Sequence, residues 1–291
     1  MTRRLVSFAI GALGSVVTAA LLKSRPPGGV ERWTRENHAG RPVTLFEGPA
    51  YAMGAVAGAL AGGAGGPAAV AGLGAAASGA LDDLVGDSSS KGLRGHLAAA
   101  RRGDVTTGAV KIVGLGVTGL LSARMIDRSR ERNGVVATLV GGAVIAGSAN
   151  IANLLDLRPG RALKVVLLLA APIVAGGRGI HLSSTAATAT ATATATAGAA
   201  AGAAIGSLPD DLAGRSMLGD TGANSAGALL GTALVARTGP RGRLLALAVV
   251  TVLTLVSERV SFTRVIESTP GLRELDALGR PSWSSPNAAP Q

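Results

Sequence analysis

Nine apolar runs separated by polar stretches constrain this chain more than any other feature of its sequence. They cover residues 5–22, 49–62, 66–81, 107–126, 133–153, 162–175, 185–207, 217–236 and 244–256. A helix needs about 20 apolar residues to cross a bilayer, and several runs approach that length. The shorter ones must end among lipid headgroups or continue through flanking polar residues. In hydrocarbon every backbone polar group must be satisfied within the segment, so such runs are helices. The expected fold is all-α, a polytopic membrane helix bundle of about nine transmembrane helices. A helical domain spans residues 1–258, and a cytoplasmic tail, partly disordered, follows over 259–291.

Composition sharpens this expectation. Only 15% of the residues are charged, against about 25% in ordinary soluble domains. Apolarity comes from Ala, Val, Leu and 43 Gly rather than from aromatics, which make up 2%; small residues let helices approach closely in a membrane. The net charge of +11 does not point to nucleic acid, because the basic residues are dispersed between apolar runs and aromatics for base stacking are scarce. The chain has no Cys, which excludes disulfides, thiolate nucleophiles and Cys-ligated zinc. His38, His96 and His181 form no close pair in sequence, so any metal is held by oxygen.

The first run follows Arg3 and Arg4 without a clear cleavage site and reads as a retained helix, not a signal peptide. With the amino terminus outside, the inner segments carry more basic residues than the outer ones, in line with the positive-inside rule. Ser89 and Ser284 are then cytoplasmic, and Thr2 and Thr238 external. Residues 185–197 contain only Ala and Thr, mostly in alternation. A strand there would lack partners in lipid, so a tightly packed helix is expected, its Thr hydroxyls bonding back to the preceding turn.

In this orientation the acidic and amide residues near run ends gather on one membrane face. Asp82, Asp83 and Asp87 close the third run in DDLVGD. Asn150, Asn153 and Asp156 close the fifth in NIANLLD, Asp220 opens the eighth in MLGDTGAN, and Lys111 opens the fourth. Carboxylates at membrane depth are expensive and are functional candidates by default. Asp and Asn oxygens suit Mg²⁺, completed by substrate phosphates and water; Lys111 can hold phosphate, and the Gly-flanked start of the eighth helix can present N–H groups to an anion. Each cluster also has a plain structural reading: a solvated helix stop, amides joining helices, a turn, a lysine reaching to headgroups. Their shared order and sidedness favour phosphoryl transfer.

That order resembles the polyprenyl-phosphate N-acetylhexosamine-1-phosphate transferases, over roughly residues 35–236; RENHAGRPVT at 35–44 is weakly similar to the family's first cytoplasmic loop. The resemblance implies a multi-helix enzyme of the bacterial inner membrane with a cytoplasmic active site. It would move a sugar-1-phosphate from a UDP-sugar to a polyprenyl phosphate in cell-wall or envelope polysaccharide synthesis, with Mg²⁺ as cofactor and a second copy of the chain as a candidate partner. By motif, Asp82 and Asp83 match the acidic pair that handles the lipid phosphate. Asn150, Asn153 and Asp156 match the Asn-rich motif near nucleotide and metal, Asp220 the principal Mg²⁺ ligand, with Asp156 beside it, and Lys111 a phosphate-contacting lysine.

The chain departs from the family after Val256, where no His-rich motif and no further apolar run occur, and Leu157 stands where the family usually has Gly. Arg259, Arg264 and Arg273 are candidates to replace the missing contacts, Arg259 foremost because it directly follows the ninth run. The competing expectation is a non-catalytic relative that binds polyprenyl phosphate as a partner or regulator in envelope assembly. An ion-coupled transporter would need acidic residues at the midplane and repeated halves, which the sequence lacks.

Overall fold

The computed structural model describes residues 2–85, 106–130, 134–176 and 184–281. Each of the nine apolar runs lies on its own helix: α1 (Thr2–Ser24), α2 (Glu47–Ala61), α3 (Gly66–Val85), α4 (Thr107–Ser129), α5 (Val135–Leu155), α6 (Arg161–Ala175), α7 (Ser184–Leu212), α8 (Gly219–Arg237) and α9 (Pro240–Ser257). Two short helices follow, α10 (Phe262–Ser268) and α11 (Leu272–Ala277). Local chemistry sets several boundaries. Thr106 caps α4 by accepting the Ala109 N–H at 3.1 Å, and Pro240 opens α9, where its missing N–H costs nothing.

Five helices are long and apolar enough to cross a membrane: α1, α3, α4, α5 and α9. The expectation of about nine spans is therefore met in part. Helices α2 and α6 have 15 residues each. Helix α8 is buried along nearly its whole length, and a helix screened by its neighbours has no need of an apolar surface. It forms the centre of the bundle, with α3 and α5 its closest partners and α2 and α7 also against it. One apolar cluster gathers Tyr51, Leu163 and the α7 alanines against α8, and a second gathers Leu115, Ile126 and Ile145 on its other side.

Small residues make these approaches possible. A Cβ on Gly58 would meet the backbone of Ser7 and Gly11 on α1, and one on Gly202 would meet the Phe8 carbonyl at 2.0 Å, so α1, α2 and α7 pack backbone to backbone. The Ala/Thr stretch is helical as expected. Thr194 and Thr196 donate to the carbonyls of Thr190 and Thr192 at 2.9 and 2.7 Å, which satisfies the hydroxyls within the helix.

Between α1 and α2 lies a hairpin of β1 (Thr34–Glu36) and β2 (Pro42–Thr44), turned by Asn37, whose side-chain oxygen accepts from Ala39 and Arg41. It is tied to the α7–α8 connection, where Met217 donates to the Thr44 carbonyl at 3.0 Å. The stretch after Ser257 is not a free tail as far as Pro281. Arg161 at the start of α6 forms a two-point pair with Asp276 of α11 at 2.8 and 2.9 Å, both side chains buried. Arg158 pairs with Glu267 at 3.2 Å. Asp87, Ser89 and Ser284 lie outside the described residues.

Candidate functional site

Helices α3 and α8 cross at Gly79, where a Cβ would sit 2.2 Å from the Asp220 carbonyl oxygen. Only glycine allows that approach, and it brings the end of α3 to the beginning of α8. Asp83 then caps α8 from outside. Its carboxylate accepts the backbone N–H of Asp220 at 3.0 Å, the N–H of Thr221 at 2.9 Å and the Thr221 hydroxyl at 2.6 Å. These are donors that a helix start leaves unsatisfied, and a negative charge there also meets the positive end of the helix dipole. Arg35 of the hairpin donates to the Asp83 carbonyl oxygen, fixing the other side of this corner.

Lys111, in the second turn of α4, reaches across to both remaining acids. Its Nζ donates to Asp220 Oδ2 and lies 3.4 Å from Asp82 Oδ2. The Lys111 side chain is 12% exposed and those of Asp82 and Asp220 are 27% and 23% exposed, so the cluster is open on one side. Four of the sequence candidates, Asp82, Asp83, Lys111 and Asp220, are thus gathered at one end of the bundle.

Asp156 follows α5 at the same end. Burial pushes its carboxyl well above the ordinary range, the charges of Asp211, Asp220 and Asp83 push it further, and the Gly219 backbone N–H opposes the shift. Its Oδ2 is buried without a hydrogen-bond partner. Asn150 and Asn153 lie partly buried about two turns and one turn earlier on α5; among the described residues neither bonds through its side chain to Asp82, Lys111 or Asp220. Arg259 is exposed past the end of α9, a helix that packs on α5. Arg264 is also exposed, and Arg273 pairs with its neighbour Glu274.

The basic groups that do reach the acidic neighbourhood come from elsewhere. A cavity of about 160 Å³ is lined by Asp156, Asp211, Arg158 and, from the hairpin, Asn37 and His38. Asp211 accepts the Gly160 N–H at 3.0 Å. Burial lifts its pKa to about 7 against that bond and the charges of Arg280 and Lys164. Burial and the charges of Arg158 and Arg280 lower the His38 pKa. Sequence reasoning passed over Asp211 and Glu47, although Asp210-Asp211 closes an apolar run much as Asp82-Asp83 does. The role of Arg158 left no local signal, since it depends on the docking of α10.

Among the described residues no group of three or more His, Asp or Glu is gathered tightly enough to hold a metal with protein ligands alone. Mg²⁺ does not require one, because it binds through one or two carboxylates with phosphates and water completing its shell. The donor set fits: Asp82 and Asp220 share a single cationic partner on the open side of the cluster, and the unpartnered Asp156 oxygen lies at the same end of the bundle.

The fold and its apolar helices define an all-helical integral membrane protein. No protein-family model and no curated protein matches the chain.

Proposed function

We propose that the chain is a membrane phosphotransferase that joins a sugar-1-phosphate from a UDP-sugar to a polyprenyl phosphate. The observation that carries this reading is Lys111 held between Asp82 and Asp220 at the capped start of α8. A lysine between two carboxylates on an open surface can turn toward incoming phosphate, freeing one carboxylate for a hard cation and the other for a proton. Bound Mg²⁺ would neutralise diphosphate charge there, held by Asp220, with Asp156 within the same neighbourhood.

In the proposed reaction an oxygen of the lipid phosphate attacks the sugar-bearing phosphorus of the UDP-sugar. The P–O bond to UMP breaks, and a lipid diphosphate sugar forms. Asp82 takes any proton carried by the attacking phosphate, because both oxygens of Asp83 are engaged in the helix cap. Lys111 orients the phosphates. Arg158 and His38, lining the adjoining cavity, supply positive charge and hydrogen bonding that the absent His-rich motif would otherwise provide, which shifts that role away from Arg259. The same reading sets the nine apolar helices in a bacterial inner membrane, with the site facing the cytoplasm.

Purified protein with Mg²⁺, polyprenyl phosphate and a panel of radiolabelled UDP-sugars tests this. The expected result is a lipid-linked labelled product with release of UMP, reduced roughly a hundredfold or more by Asp82→Asn or Asp220→Asn. Polyprenyl phosphate bound without product across the panel would establish the competing reading, a non-catalytic lipid-phosphate partner in envelope assembly. Neither binding nor turnover would overturn both.

A further inference from the structure

A second cavity, of about 180 Å³, lies between α1 and α7 at the Lys23 end of α1 and is separate from the Lys111 cluster. Its most unusual wall is Glu47, the first residue of α2. The residue is 3% exposed, and neither side-chain oxygen has a hydrogen-bond partner, although its own backbone N–H is satisfied by Ser216 Oγ at 3.2 Å. A buried carboxylate without a hydrogen-bond donor costs several kcal/mol and is held instead as the neutral acid, and an ammonium that enters the cavity would let it ionise.

The surroundings define that partner's chemistry. Asp210, the other acid in the wall, is already neutralised: Lys23 and Arg215 both donate to it and hold its carboxyl below the ordinary range despite partial burial. Lys23 and Arg215 together balance Asp210 and Glu47, so the wall suits a ligand that is neutral overall, its cation placed on the partnerless Glu47 and its anion at Lys23. Most of the lining is apolar, with Val16, Ala19 and Ala20 of α1 forming one side, which disfavours a hydrated metal ion and favours a cation carried on a hydrocarbon arm. A water's share of liquid volume is about 30 Å³, so the space takes a short aminoalkyl group.

Helix α1 is long and apolar enough to cross a membrane and is only thinly covered by the rest of the protein, which puts its Lys23 end at headgroup depth. Lys23 is 43% exposed at the rim and can meet a phosphate. We infer that this cavity binds a primary ammonium joined by a short arm to a phosphate, the headgroup chemistry of phosphatidylethanolamine, with the ammonium on Glu47. Three N–H donors suit a carboxylate whose two oxygens lack partners. A quaternary choline ammonium has no N–H to offer, and a glycerol headgroup has no positive charge.

The test is lipid binding by the full-length protein in detergent, followed by native mass spectrometry and thermal unfolding with phosphatidylethanolamine, phosphatidylcholine or phosphatidylglycerol of matched chains. Phosphatidylethanolamine is expected to bind at least tenfold more tightly than the other two, and Glu47→Gln is expected to abolish that preference. Ala19→Leu, which fills the cavity from a partly exposed position, gives the same loss without touching the buried acid and serves if the Glu47 variant does not fold. Competition by O-phosphoethanolamine at similar affinity would assign the site to a free amine instead of a lipid, with the ammonium chemistry intact. Equal binding of the three lipids, a preference that survives both substitutions, or stabilisation by Na⁺ or K⁺ alone that Glu47→Gln removes would overturn the inference. None of these readings depends on sugar transfer.

Discussion

The carboxylate of Asp83 accepts both the backbone N–H and the hydroxyl of Thr221, at 2.9 and 2.6 Å, across 138 positions of sequence. Two adjacent aspartates at the end of α3 therefore do different work: Asp83 holds the start of α8 in place, and Asp82 faces Lys111 on the open side.

This division predicts opposite phenotypes for neighbouring substitutions. Asp83→Ala removes the cap of the central helix and should destabilise the protein by about 1–2 kcal/mol or more. Asp82→Asn should leave the unfolding temperature nearly unchanged while suppressing lipid-phosphate chemistry. Thermal unfolding in detergent, measured on both variants, separates them. Equal destabilisation would show that the caps and the pair carry similar structural weight.

Replacing Lys111 by Met leaves Asp82 and Asp220 close together without their shared cation. Divalent cations should then stabilise the variant more than they stabilise the wild-type protein, because Mg²⁺ takes the place of the ammonium. The gain should vanish in the Lys111→Met, Asp220→Asn double variant. A scan of unfolding temperature against Mg²⁺ concentration reads this directly, and a response identical in all three proteins would remove the cluster from metal binding.

Gly79→Ala places a methyl group where the Asp220 backbone already lies, 2.2 Å from its carbonyl oxygen. Backbone cannot rotate away as a side chain can, so α3 and α8 must separate, at a cost of about 1–3 kcal/mol. Loss of Mg²⁺ response should accompany the loss of stability, since the Asp83 cap and the Lys111 pair both depend on this crossing. Normal stability with an intact response would show that the crossing is looser than its geometry indicates.

Asp211 gives the pH dependence a definite sign. Its carboxyl rises from an ordinary value of 3.8 to about 7 on folding, chiefly through burial. The folded protein thus holds a proton that the unfolded chain releases, and stability falls as pH rises from about 4 to about 7 before levelling. Asp156 and Glu47, also raised by burial, act in the same direction. Asp211→Asn should make the fall shallower over that window, with Asp156, Glu47 and Asp220 supplying what remains, as measured by thermal unfolding at closely spaced pH values. An unchanged slope would mean that Asp211 stays ionised in the folded protein.

The sequence by itself determined the nine long helices, though not the hairpin between α1 and α2 or the two short helices after Ser257. Apolar runs bounded by Gly, Pro and polar residues became helices because backbone hydrogen bonding and side-chain spacing are local, and the Ala/Thr stretch became a close-packed helix because its small side chains and back-bonding hydroxyls permit little else. The association of Asp82, Lys111 and Asp220 was legible as well, since all three stand at run ends that a common orientation puts on one face. Only the tertiary structure decided what each group does. Asp83 became a cap because Gly79 lets α3 touch the start of α8, α8 became the buried centre, and Arg158 and Arg161 bound the stretch before Pro281 through partners more than 100 positions away. Glu47 and Asp211 became buried acids only when distant helices closed around them. Pairing and burial are set by which segments meet, and the spacing of residues along one segment carries no record of that meeting.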